Sequence, residues 1–209
     1  MFTSSRHTSS RILTLVAIVV TAMLTLLPAV PARAHEVEPP PFDLRFPQET
    51  EVSEFSSTFG SRRSGGRRHG GNDLMAPKMT EVYAAAPGIV RTVGTSGKGG
   101  RYIEIDHLRG WTTMYVHLNN DNTATDDNDA EWSLTVAPGV GEGSWVTAGQ
   151  LIGWVGDSGN AEGTGSHTHF ELAFEGHEID PYDLLVEAYD RDHNLYWSML
   201  RASRPDVMT

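Results

Sequence analysis

The chain has 209 residues, a formal net charge of −11, nine histidines and no cysteine. The acidity argues against nucleic acid as a partner, and the missing cysteines exclude a disulfide framework. Frequent glycine, 21 residues, with 39% hydrophobic content fits a turn-rich β protein better than a helical bundle.

Arg6 and Arg11 precede an apolar run, Ile12 to Leu27, which Pro28 and Ala32-Arg33-Ala34 follow. This is the pattern of a secretory signal peptide over residues 1–34 with cleavage after Ala34. The run is short for crossing a bilayer. A mature chain without a stable membrane span, secreted or held in the cell envelope, is therefore expected. No cysteine follows the run to carry a lipid, and the segment takes away three arginines and no acid, leaving a still more acidic chain.

Residues 35–54 read as a polar lead that Pro39, Pro40 and Pro41 keep extended. From Phe55 the chain turns β-like. Ser56 to Gly60 leads into a glycine-rich basic loop carrying Arg62, Arg63, Arg67 and Arg68, and His69-Gly70-Gly71-Asn72-Asp73 follows at once. Strands are predicted at 82–86, 89–93, 102–107, 111–118, 141–146, 150–156 and 167–174, with Pro87-Gly88, Lys98 to Arg101 and Arg109-Gly110 as turns. In the 111–118 strand, alternation puts Thr113, Tyr115 and His117 on one face and Met114, Val116 and Leu118 on the other. Residues 119–131 are acidic and asparagine-rich without apolar periodicity, and read as a long surface loop. Residues 183–201 are weakly amphipathic, predicting one helix or two half-helices. The expected architecture is mainly β: a single antiparallel, sandwich-like domain over 55–185, with a short C-terminal helical segment running into an extension at 186–209.

His167 and His169 stand one residue apart at the start of a strand, so both side chains share a face, with Phe170 and Leu172 packing behind. Paired imidazoles invite a metal ion. Upstream, His69 and Asp73 sit in a glycine-rich loop that lets both bend toward one point. One histidine of the pair added to these two gives three protein ligands with a fourth place open, the plan of a catalytic zinc site. His117 is a further histidine on a strand face.

The order Phe59-Gly60-x-Arg62, His69-x3-Asp73, Val82-Tyr83-Ala84, Gly88-Ile89-Val90, Tyr115-Val116-His117-Leu118, Gly149-Gln150-x-Ile152-Gly153 and Gly165-x-His167-Thr168-His169-Phe170-Glu171 resembles the lysostaphin/LytM-type zinc metallopeptidases, which cut peptide bonds in peptidoglycan. The likeness covers residues 55–183. It implies one zinc ion per chain held by His69, Asp73 and His169, with His117 and His167 as the catalytic pair, their individual parts left open. It also implies peptidoglycan peptides as substrate; Tyr115 and Arg62 are candidates for contacting them, and a monomer is expected. Met79 stands where the family usually has glycine, and Ser166 and Thr168 replace a more common proline and leucine. A catalytically silent wall-binding or hydrolase-activating relative is the alternative, as is a zinc-dependent binding module.

Other features have plainer readings. Gly156-Asp157-Ser158-Gly159 resembles a serine-peptidase nucleophile loop, but such turn tetrapeptides arise by chance. Asp121, Asp126, Asp127 and Asp129 do not follow calcium-loop spacing. His107 reads as structural or supporting, and His35, His177 and His193 as solvated. The arginine cluster is either a solubilising face or a contact for acidic wall groups.

Overall fold

The computed structural model describes residues 39–203; the expected signal peptide, His35 and the start of the lead lie outside the described residues, as do 204–209. The body is antiparallel β, as the alternation of the sequence predicts. Among the described residues ten strands are formed: β1 (Glu54–Phe55), β2 (Asn72–Met75), β3 (Glu81–Tyr83), β4 (Gly88–Ser96), β5 (Gly100–Asp106), β6 (Trp111–Leu118), β7 (Trp145–Val146), β8 (Leu151–Trp154), β9 (His167–Phe174) and β10 (His177–Ile179). The large sheet runs β1-β2-β9-β6-β5-β4-β7, and β10 pairs with the far end of β9. Strands β3 and β8 pair separately.

One face of the large sheet builds the core. Leu74, Val90, Ile103, Ile105, Tyr115, Phe170 and Leu172 are buried on it and meet Val82 and Ile152 from the small sheet. Burying side chains of this size stabilises by about 1.5–3 kcal/mol each, and here it does so without any disulfide. The opposite face of β9, β6 and β2 is left free to carry polar groups.

The C-terminal stretch is one continuous helix, α1 (Tyr182–Ser203), with Leu185 and Ala188 buried. The lead is not extended throughout, since Thr50–Val52 form a 3-10 turn, and it is built into the body: Leu44, Phe46, Gln48 and Thr50 are buried. The Arg45 N–H donates to the Ala85 carbonyl, and the Phe46 N–H to Asp192 on α1. Phe46, Phe55 and Tyr189 pack in tilted and edge-to-face contacts where lead, β1 and α1 meet. His193 departs from the solvated reading, since it is half-buried and stacks on Tyr189 at 5.4 Å. His177 is exposed as expected.

The 119–131 loop is anchored at both ends, not simply draped on the surface. Asn119, Asn120, Asp121 and Ala130 are buried, while 123–129 and Glu131 are exposed. Lys78 holds it, with Nζ at 2.7 Å from Asp121, 2.5 Å from Asp126 and 2.9 Å from Asp157. Met79 next to it has φ 68°, the left-handed region that favours glycine.

Candidate metal centre

Strand register creates the site. Strands β2 and β9 pair so that Asp73 lies opposite His169 and Met75 opposite His167. Alternation along β9 puts His167, His169 and Glu171 on the groove face while Thr168, Phe170 and Leu172 are fully buried behind. Gly71 permits the approach: a Cβ there would meet the Phe170 carbonyl oxygen at 2.1 Å. His69, just before β2, is fixed by its own backbone, which pairs with Gly60 and Ser61.

The result is three donor atoms facing one point. His69 Nε2 lies 3.0 Å from Asp73 Oδ1 and 2.8 Å from His169 Nδ1, which is itself 2.9 Å from Asp73 Oδ1. The remaining ring nitrogens are occupied. His69 Nδ1 donates to the Thr58 carbonyl at 3.0 Å, and His169 Nε2 to Glu171 at 2.9 Å. Both outer bonds hold the outer nitrogen as the N–H donor, so that a neutral ring turns its lone pair inward toward a metal, the second layer that ligating histidines need. Two imidazole nitrogens and one carboxylate oxygen fit zinc with three protein ligands.

His117 and His167 flank this cluster. The His117 ring centre is 4.9 Å from that of His167 and 6.1 Å from that of His169. His167 Nε2 is 3.7 Å from Asp73 Oδ1. Each Nδ1 again donates to a carbonyl, Ser158 for His117 and Gly165 for His167, both at 2.7 Å. Each Nε2 is therefore the free nitrogen.

A bulge puts His117 in place. Between the pairs Arg101–Leu118 and Ile103–Tyr115, two residues of β6, Val116 and His117, oppose one of β5. His117 takes φ 63°. The alternation expected for β6 thus breaks: Val116 and His117 both line the groove, and Leu118 returns to the core. This corrects the placement of Tyr115 as a substrate contact. Its ring is fully buried against Phe170, and its hydroxyl accepts from the Ala85 N–H at 2.7 Å. Arg62 is also corrected. It is not among the groove-lining residues, whereas Arg63, Arg67 and Arg68 are.

Protonation follows from these contacts. Burial lowers His117 to about 4, partly offset by the Ser158 carbonyl, so it is neutral at neutral pH. Burial also acts to lower His169, but hydrogen bonds with Asp73 and Glu171 outweigh it and raise the imidazole to about 9. Burial acts to raise Asp73, yet hydrogen bonds from His169 and His69 hold it far below the usual carboxylate range. In the metal-free site His169 is thus protonated, and a metal must displace that proton.

The cluster opens into a groove of about 680 Å³. Glu171, two residues from His169 on the same face, supports it in a way the strand period makes legible. The supporting carbonyls of Ser158 and Thr58 left no sequence signal. Ser158 is no nucleophile: its hydroxyl donates to the Leu118 carbonyl and accepts from the Arg101 N–H. His107 is structural, bonded to the Pro87 carbonyl and Thr113.

Residues 67–130, which include His69, Asp73 and His117, match the family model described as Peptidase family M23. Over that stretch the chain is similar to M23 peptidases. It is 32% identical over 120 residues to the DD-carboxypeptidase/endopeptidase Mpg of Neisseria meningitidis serogroup B, covering 57% of this chain and 23% of that protein. It is 30% identical over 115 residues to the peptidoglycan DD-endopeptidase ShyC of Vibrio cholerae, covering 55% and 22%. The match thus spans about a quarter of these curated relatives' length. Among solved structures, a zinc-containing peptidase from Vibrio cholerae aligns with TM-score 0.53 and 25% identity over 66% of this chain and 39% of that one. The lysostaphin catalytic domain from Staphylococcus simulans aligns with TM-score 0.50 and 27% identity over 64% and 92%. The fold is therefore of the lysostaphin type.

Proposed function

We propose that this domain is a zinc metalloendopeptidase that hydrolyses peptide bonds in peptidoglycan, one zinc ion per chain, acting outside the cytoplasm behind the signal peptide at 1–34. The observation that carries this reading is the convergence of His69 Nε2, Asp73 Oδ1 and His169 Nδ1 within 3.0 Å of one another, with His117 and His167 beside them. His69, Asp73 and His169 hold the metal. Zinc there supplies Lewis acidity, acidifying water and polarising a carbonyl oxygen.

The chain's own groups do the rest. His117, unprotonated at neutral pH, accepts a proton at Nε2 from the attacking water and passes it to the leaving amine nitrogen as the C–N bond breaks. His167, its Nδ1 committed to the Gly165 carbonyl, offers Nε2–H once protonated to the oxygen on which charge develops. Glu171 and the Thr58 carbonyl hold the ligating rings in orientation. The names of the relatives favour D-Ala-containing cross-links as the bonds cut. The test is digestion of purified sacculi with mass analysis of the fragments. New amino ends that a chelator stops and added zinc restores are expected; none from zinc-loaded protein refutes the reading and leaves a silent wall-binding relative.

A further inference from the structure

The loop before His69 is a built basic hairpin. Arg62 and Arg68 form a β-bridge, the Arg63 N–H donates to the Arg67 carbonyl, and the His69 N–H donates to the Ser61 carbonyl. A tight turn at Ser64–Gly66 closes it, with Gly65 and Gly66 at φ 73° and 77°. The hairpin is therefore templated on the backbone of the metal-site residue His69. It holds four arginines, and no acid occurs from Ser56 to Asn72, in a chain whose net charge is −11.

Its guanidinium groups are not all occupied. Arg63 pairs with Asp73 Oδ2 at 2.6 Å, and Arg68 gives one N–H to the Gly60 carbonyl. Among the described residues Arg67 has no side-chain partner, and Arg68 keeps donors to spare. Both line the groove, and Lys98 from the β4–β5 turn lines it too. Adjacent cations repel, so a formed loop that crowds them onto one groove wall favours an anion there. Planar guanidinium donors match a carboxylate in two-point contact.

We infer that Arg67 and Arg68 form a carboxylate-binding subsite, selecting cross-linked peptides that carry a free carboxylate beside the cleaved bond over neutral or amidated ones. This rests on the hydrolase reading for its kinetic readout, but not for its binding readout. The test uses two synthetic cross-linked stem peptides that differ only in a free carboxylate or a carboxamide. Cleavage and calorimetric binding are measured on zinc-loaded wild type, R67Q, R67Q/R68Q and R67K/R68K, with zinc content confirming a folded site. Wild type should favour the carboxylate peptide about tenfold or more in both readouts. R67Q/R68Q should bring the ratio close to one, R67Q should lower it partway, and R67K/R68K, which keeps the charge but not the fork, should also lower it, though less than R67Q/R68Q. A wild-type ratio near one, or a ratio unchanged in R67Q and R67Q/R68Q, overturns the inference. A salt-sensitive attraction that is equal for the two peptides also overturns it. Failure to cleave either peptide refutes the hydrolase reading instead, while the binding ratio still decides the subsite.

Discussion

Two clusters in this domain gather groups able to ligate a cation, and they differ in what sits at their centre. At His69, Asp73 and His169 the donors are mixed nitrogen and oxygen, their outer atoms are held by other groups, and they point at one another. At Asp121, Asp126 and Asp157 the donors are all carboxylates, and the Lys78 ammonium lies among them. Lys78 is accordingly pushed above its ordinary value: burial opposes its charge, but the three aspartates outweigh that. The second cluster brings its own cation and works as a clamp between the 119–131 loop, the Gly156–Gly159 loop and the β2–β3 turn. The first, on the proposed reading, takes its cation from solution, and it opens on a groove with further histidines.

Breaking the first cluster should have the largest effect. His169→Ala should take zinc from one per chain to near none by metal analysis and abolish cleavage; stoichiometric zinc in that variant would refute the ligand assignment. His117→Ala should keep zinc yet lose turnover by about 10²–10⁴-fold, the usual contribution of a proton-transferring side chain. Full activity in it would remove His117 from the mechanism.

Breaking the second cluster should act on stability, not zinc. Lys78→Met leaves Asp121 and Asp157 buried without a counter-charge. Because Lys78 is itself partly exposed, a loss of about 1–3 kcal/mol is expected in urea unfolding. Unchanged stability, or lost zinc, would erase the distinction between the clusters.

The metal-free first cluster also predicts a pH dependence. His169 has a folded value raised to about 9 against an unfolded value near 6.5. Its contribution is full below pH 6.5 and is lost as pH rises through 9. Zinc-stripped protein should therefore lose stability across that window, and His169→Gln should flatten the loss; an unflattened loss would place its origin elsewhere.

The smallest effect belongs to Met79 beside the clamp. Met79→Gly relieves the positive φ but loosens the unfolded chain, so a change within about 1 kcal/mol is expected. A larger loss would mean that the Met79 side chain packs in a way its φ conceals.

Much of the site was legible because it is local. The His167-x-His169 spacing fixes a shared strand face by period two alone, and Phe170 and Leu172 fall behind it as that period requires. The glycines after His69 read as a loop free to bend, whereas Asp73 lies in β2 and Gly71 lets that strand approach Phe170 closely. Where the reading failed, a local rule was broken by a distant partner. Tyr115 and His117 share a face in any regular strand, and only the bulge against β5 sends one to the core and the other to the groove. Arg62 and Arg63 differ by one place in a hairpin whose pairing the composition does not reveal.

The sequence by itself determined the longer strands but not β1, β2 or β10, a helical C-terminal stretch, the residue types of a zinc site and the likeness to lysostaphin-type peptidases, because periodicity, glycine placement and motif spacing are properties of neighbours along the chain. The tertiary structure decided which atoms meet. The β2–β9 register sets Asp73 opposite His169 across 96 positions of sequence. The Ser158 carbonyl fixes the tautomer of His117, and Lys78 turns an acidic loop into a clamp. Register and long-range hydrogen bonds are set by the packing of the whole sheet, and no window of sequence contains them.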